Sequence, residues 1–263
     1  MPAPRLVGLQ HGPASITLVR HGQSVGNLAD AAANEEGADR LDLDVRDADV
    51  RLSETGERQA RALRDWLRQA PEDQRPTVVV ASPYRRAADT ARHATEGLGL
   101  EVVLDERLRE RDLGVFDGLT GRGIRSEYAA EAERRSHVGK FYYQPPSGES
   151  WADVVLRVRS LLGDLRSGFE HDRVWLFSHQ AVIMTFRYVL EGLTEPELME
   201  VDRTSRVGNV SLSTYRRQDG ELELEVFGDT SVVDAAEAET TAEPAADEEA
   251  DPDKTPERKT SRG

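Results

Sequence analysis

The stretch Ser15-Ile16-Thr17-Leu18-Val19-Arg20-His21-Gly22-Gln23-Ser24-Val25-Gly26-Asn27 begins as a short β-branched run and ends in a cluster of polar, chemistry-bearing side chains. Such a run, bounded by polar residues, reads as a buried strand. The same figure recurs at 77–82 (TVVVAS), 101–104 (EVVL) and 173–178 (RVWLFS). The second run leads into Pro83-Tyr84-Arg85-Arg86, and the last into His179-Gln180. In an open α/β sheet, ligands bind in the crevice beyond the carboxyl ends of the strands. The alternation therefore predicts that two histidines and several arginines converge in one place. Arginine forks match phosphate oxygens, and a histidine beside fixed cations suits phosphoryl transfer.

Between these runs the spacing is helical. Within 53–70, Ala60, Leu63, Leu67 and Ala70 share a face, and Ser53 is placed to cap it. A further helix is predicted from about Trp151 to Leu165, with Val154, Val155, Val158, Leu161, Leu162 and Leu165 inward. Two final runs around Asp219-Gly220 predict a terminal hairpin. The β-α-β-α order predicts an α/β fold, a three-layer α/β/α sandwich with a mostly parallel sheet. One domain is expected over 15–228, after a flexible N-terminus at 1–14. Segments 26–50 and 121–149 fit neither period, and long connections of this kind are often lids. The second carries Arg122, Arg125, Arg134, Arg135, His137 and Lys140. It reads either as a substrate-selecting lid or as a solvated helix whose Glu127, Glu131 and Glu133 pair with those arginines.

Composition narrows the function. The 263 residues carry a net charge of −15. Residues 229–263 hold 11 acidic and 4 basic side chains, net −7, which leaves −8 on residues 1–228. The tail has no aromatic residue between 234 and 253, so it is expected to be disordered, with an unknown partner. The absence of cysteine excludes disulfides, thiolate metal sites and a catalytic thiol. No stretch approaches the roughly 18 apolar residues of a membrane span, and no secretory h-region follows the N-terminus. A cytoplasmic protein without membrane or nucleic-acid partners is expected.

Leu18 to Asn27 resembles the signature of the histidine phosphatase superfamily, also called phosphoglycerate mutase-like. The other segments resemble its motifs in the same order. Leu52 to Ala60 resembles LTxxGxxQA, and Ser82 to Ala91 resembles SPxxRAxxTA, which places the family arginine at Arg86 and not Arg85. Leu108-Arg109-Glu110, with Gly114 and Asp117-Gly118-Leu119-Thr120, resembles LxE…G…EGLT, and Phe177-Ser178-His179 resembles the second histidine motif. Gln180, where the family often has Gly, and Gly148-Glu149-Ser150 resemble the fructose-2,6-bisphosphatase branch.

The resemblance implies a phosphoglycerate mutase-like fold and phosphomonoester hydrolysis of a small phosphorylated metabolite through a phosphohistidine. It implies His21 as nucleophile, Glu110 as general acid and base, and Arg20, Asn27, Arg86 and His179 as phosphoryl ligands. Gln180, through its backbone N–H, and Ser24 join the substrate-binding set, while Lys140 and Tyr142 of the lid are expected to select the substrate. No cofactor or metal is implied, and no HExxH-like spacing suggests one. The alternatives are a cofactor-dependent mutase, a fructose-2,6-bisphosphatase-like enzyme, and an inactive phospho-ligand-binding protein. The separation of 69 positions from Glu110 to His179 makes a short lid for a mutase, and retention of His21, Glu110 and His179 disfavours the inactive reading.

Overall fold

The structure, a computed structural model, describes residues 11–236 and 240–242. Six strands, β1 (Ser15–Arg20), β2 (Val78–Ala81), β3 (Val102–Leu104), β4 (Arg173–Ser178), β5 (Leu212–Gln218) and β6 (Glu221–Asp229), form one sheet in the order β3-β2-β4-β1-β5-β6. The β3-β2, β2-β4 and β4-β1 pairs are parallel, and the terminal hairpin adds β5 and β6 antiparallel. At the hairpin turn Asp219 and Gly220 have φ of 49° and 87°, the pair of positive values a tight two-residue turn requires.

Period-two alternation sends successive strand residues to opposite faces. Ile16, Leu18, Val174 and Leu176 pack into one apolar cluster, and Val19, Trp175 and Phe177 into another. The first cluster is closed by α6 (Trp151–Gly168), α7 (Gln180–Glu191) and α8 (Glu195–Thr204). The second is closed by α2 (Glu54–Gln69) and α3 (Arg85–Thr95). Helix α6 buries the whole predicted stripe, Val154 to Leu165. Full burial of side chains of this size contributes about 1.5–3 kcal/mol each, so the stripe fixes the helix on the sheet.

The structure corrects the sequence reading in three places. Segment 26–50 opens with a helix, α1 (Val25–Glu36), capped by reciprocal bonds between Ser24 and Asn27. Segment 121–149 contains two helices, α4 (Gly121–Glu127) and α5 (Ala129–Val138), joined at Tyr128. The fold also runs past residue 228: β6 ends at Asp229, and α9 (Ser231–Ala235) buries Val232 and Val233 in the second cluster. An acidic composition concealed two valines that have a core to join. The rest of the expected tail, apart from 240–242, and residues 1–10 lie outside the described residues. Among the described residues no helix is long and apolar enough to cross a membrane.

Candidate active site

Parallel pairing of β1 and β4 sets Arg20 opposite Ser178, and β2 pairs Ala81 with Phe177. The residues that follow, His21, His179 and Ser82, therefore emerge side by side at one sheet edge. The His21 and His179 ring centroids are 5.1 Å apart, and both histidines are buried. His21 lines a cavity of about 1370 Å³ together with Arg20, Ser24, Asn27, Arg86, Glu110, Lys140 and Gln180.

His21 Nδ1 lies 2.8 Å from the Gly22 carbonyl oxygen. With the ring neutral, the proton sits on Nδ1 as the donor and the Nε2 lone pair is left for chemistry. Burial first, then the charges of Arg86 and Arg20, hold the His21 pKa well below its ordinary value. The next backbone positions are fixed tightly. Gly22 N–H donates to Thr90 Oγ1 at 2.9 Å, Gln23 N–H to Gln59 Oε1 at 2.8 Å, and Asn209 Nδ2 to the His21 carbonyl at 2.9 Å.

Arg20 is almost fully buried and donates through Nη1 to the Val207 carbonyl at 2.5 Å. Arg86, at the start of α3, makes a two-pronged contact with Asp47, Nη1 to Oδ1 at 2.8 Å and Nη2 to Oδ2 at 3.1 Å. Asp47 thus occupies the Arg86 fork. Arg85, one residue earlier, is exposed and reaches Asp89 at 3.4 Å. Helical geometry turns adjacent residues about 100° apart, which separates the cavity arginine from the surface one.

His179 Nε2 lies 2.9 Å from Ser82 Oγ, and its Nδ1 has no partner among the described residues. When the Ser82 hydroxyl donates to Nε2, the ring proton resides on Nδ1. Burial, followed by Arg86, lowers the His179 pKa strongly. Glu110 accepts from the N–H groups of Arg111, at 2.8 Å, and Ala181, at 3.4 Å. Burial still dominates and raises its pKa, so the carboxyl is biased towards its protonated form. Among the described residues, no group of three or more histidine and acidic side chains is placed to hold a metal ion.

Two sequence expectations change. Tyr142 is 58% exposed and does not line the cavity. The chain at 141–143 turns Phe141 and Tyr143 inward instead, and Tyr142 packs edge-on against Phe141 at 4.8 Å. Lys140 does line the cavity, but its Nζ is paired with the buried Asp202 carboxylate at 2.7 Å. Gly148-Glu149-Ser150 is structural: Ser150 caps α6, and Glu149 bonds Arg109 at 2.6 Å and Arg157 at 3.1 Å. In segment 121–149, Glu127 pairs with Arg40 and Glu131 accepts from Tyr143, so these two bonds do not go to the segment's arginines. Asp47, Arg111 and Trp151 also line the cavity and were not legible as site residues, since no local spacing marks them.

Comparison with known proteins places this geometry in a family. The family model described as histidine phosphatase superfamily (branch 1) matches residues 16–230. A bifunctional protein of Mycobacterium tuberculosis is 32% identical over 196 residues, covering 72% of this chain and 48% of that protein. The 6-phosphofructo-2-kinase/fructose-2,6-bisphosphatase of Caenorhabditis elegans is 35% identical over 172 residues, covering 65% of this chain and 33% of that protein. The chain thus spans about half or less of these curated relatives. The solved structure of mycobacterial glucosyl-3-phosphoglycerate phosphatase with inorganic phosphate superposes with a TM-score of 0.65 at 27% identity, covering 84% of this chain and 99% of that one. With its paired histidines at the ends of β1 and β4 and a family match across the whole sheet, the chain belongs to the histidine phosphatase superfamily.

Proposed function

We propose that the protein hydrolyses a small phosphomonoester through a phosphohistidine on His21. The observation that supports this reading most is His21 itself. Its Nδ1 is tied to the Gly22 carbonyl, and burial and two arginines hold it neutral at the base of a cavity that Glu110 shares. In the first step His21 Nε2 bonds to phosphorus as the ester oxygen departs, taking the Glu110 proton. In the second, water attacks the phosphohistidine and gives its proton to Glu110, which restores both groups. Arg20, Arg86 and the His179 ring N–H would hold the phosphoryl oxygens as charge shifts between them. For Arg86 to do so, substrate must take the place of Asp47.

The test is brief reaction with a radiolabelled aryl phosphate followed by denaturing quench. Wild-type protein should carry an alkali-stable, acid-labile label, and His21→Ala none. Label retained in His21→Ala would refute the nucleophile assignment. Phosphate release should exceed interconversion of 3-phosphoglycerate with or without 2,3-bisphosphoglycerate. The reverse ranking would favour a mutase.

A further inference from the structure

We propose that Asp47 is a built-in competitor for phosphate at Arg86: its carboxylate yields the guanidinium to the incoming ester and retakes it to expel the product. This rests on the phosphoryl-holding role given to Arg86 above, and it adds a residue that acts on exchange at the site.

Arginine meets a carboxylate and a phosphate through the same two parallel N–H···O bonds. Asp47 fills that geometry at Arg86, with Nη1 to Oδ1 at 2.8 Å and Nη2 to Oδ2 at 3.1 Å. A phosphoryl group seated on this fork and the Asp47 carboxylate therefore exclude one another. The rivals are unequal. The carboxylate carries one charge but is tethered, and a short tether keeps it at an effective concentration of about millimolar. A phosphomonoester brings up to two charges together with the contacts of its organic part. Inorganic phosphate keeps the charge and loses those contacts. Asp47 is thus placed to lose the fork to the substrate and to regain it from the product.

The surroundings of Asp47 let its carboxylate leave. It opens a single 3₁₀ turn, Asp47–Asp49, and its side chain is 38% exposed, against 7% for Arg86. The acid returns to water readily, whereas the arginine stays in the wall. Before the turn, residues 42–45 make no backbone hydrogen bond among the described residues. That stretch is anchored at its ends, by Leu41 N–H on the Gly118 carbonyl at 2.9 Å and by the buried Val50. Backbone with so few bonds rearranges at low free-energy cost.

Arg86 keeps its aim when the carboxylate turns away. Its Nη1 also donates to the Asp47 backbone carbonyl at 2.7 Å, and its guanidinium lies 5.3 Å from the centroid of the Tyr84 ring, within cation–π range. Neither hold uses the Asp47 side chain, so rotation of that side chain leaves both in place.

The test is calorimetric titration of inorganic phosphate, the product, into wild-type protein and three variants. Asp47→Ala should bind phosphate about tenfold tighter, the factor imposed when the binding-competent form is only about one-tenth populated. Phosphate should become the stronger inhibitor of nitrophenyl phosphate turnover by the same factor. Asp47→Asn, nearly isosteric, should shift both values the same way, and keeps the test open if the alanine variant does not fold. Asp49 is 51% exposed, is held by Arg46 at 2.6 Å and does not line the cavity. Asp49→Asn should therefore change phosphate affinity less than about twofold, as expected of a screened surface charge. An equal gain from Asp49→Asn would mean that any nearby acid acts through its field, and would overturn the proposal. Unchanged or weaker phosphate binding in the Asp47 variants would overturn it too, since a carboxylate that merely orients Arg86 costs affinity when removed. Failure of the phosphohistidine would appear separately, as an unlabelled wild-type protein whose phosphate affinity still rises on substitution of Asp47.

Discussion

A histidine attacks phosphorus only when uncharged, and a carboxyl protonates a leaving oxygen only when it holds a proton. At ordinary values, near 6.5 for His and 4.3 for Glu, no pH supplies both forms in most molecules. The site moves the two in opposite directions: burial with Arg86 and Arg20 lowers His21, and burial raises Glu110. The reactive window lies above the His21 pKa and below that of Glu110. For an alkyl phosphate, kcat/KM should therefore follow a bell, with the acid limb below 6.5 and the alkaline limb above the usual Glu value. Glu110→Gln should remove the alkaline limb and cost on the order of 10²–10⁴-fold with that substrate. Nitrophenyl phosphate, whose leaving group needs little protonation, should lose far less. Equal losses on the two substrates in a steady-state assay would contradict the acid role.

The elements around His21 approach more closely than side chains allow. A Cβ on Gly56, in the first turn of α2, would lie 2.0 Å from the Gln23 carbonyl oxygen, and one on Gly22 would lie 2.7 Å from the Gly56 carbonyl oxygen. Ser53 N–H also donates to the Gln23 carbonyl at 2.9 Å, and Ser53 Oγ to Gln23 Oε1 at 2.7 Å. The start of α2 is thus the backing of the loop that carries His21. Gly56→Ala should cost about 1–3 kcal/mol, the usual range for forced overpacking, and lower kcat by displacing His21. Urea unfolding and nitrophenyl phosphate turnover would measure both, and an unchanged pair of values would mean that the contact is not tight. Strands β1, β2 and β4 were legible in the sequence because each is a largely buried run with a polar stop, and strand register then carried Arg20, His21, Ser82 and His179 into place. Helix α1 was not legible, since it buries Ala33 alone and has no apolar stripe; its one signal, the Ser24 and Asn27 capping pair, also reads as ligand chemistry. Helix α5 buries nothing, and the Arg86–Asp47 contact spans 39 residues, so neither leaves a periodic trace.

At the scale of the molecule, a net charge of −15 coexists with a cavity that gathers Arg20, Arg86, Arg111 and Arg135. Net charge governs solubility and long-range steering, whereas converging forks at short range decide what is held. The acidic C-terminal region has a second part to play, in packing. Val232 and Val233 of α9 join Leu63, Leu67 and Trp175 in the second core cluster. Farther on, Thr241 Oγ1 lies 2.8 Å from Asn209 Oδ1 and 3.1 Å from Gln59 Nε2. Those same two side chains hold the His21 carbonyl and the Gln23 N–H, so this stretch of chain backs the loop from behind. A chain ending at Asp229 would lose the two buried valines, worth about 1.5–3 kcal/mol each, and the Thr241 support. A chain ending at Ala242 would retain both. In urea the shorter chain should unfold at a clearly lower midpoint and turn over nitrophenyl phosphate more slowly, while the longer one should match the full-length protein in both. Equal midpoints for the two truncations would place the stabilising contacts of the domain entirely before residue 230.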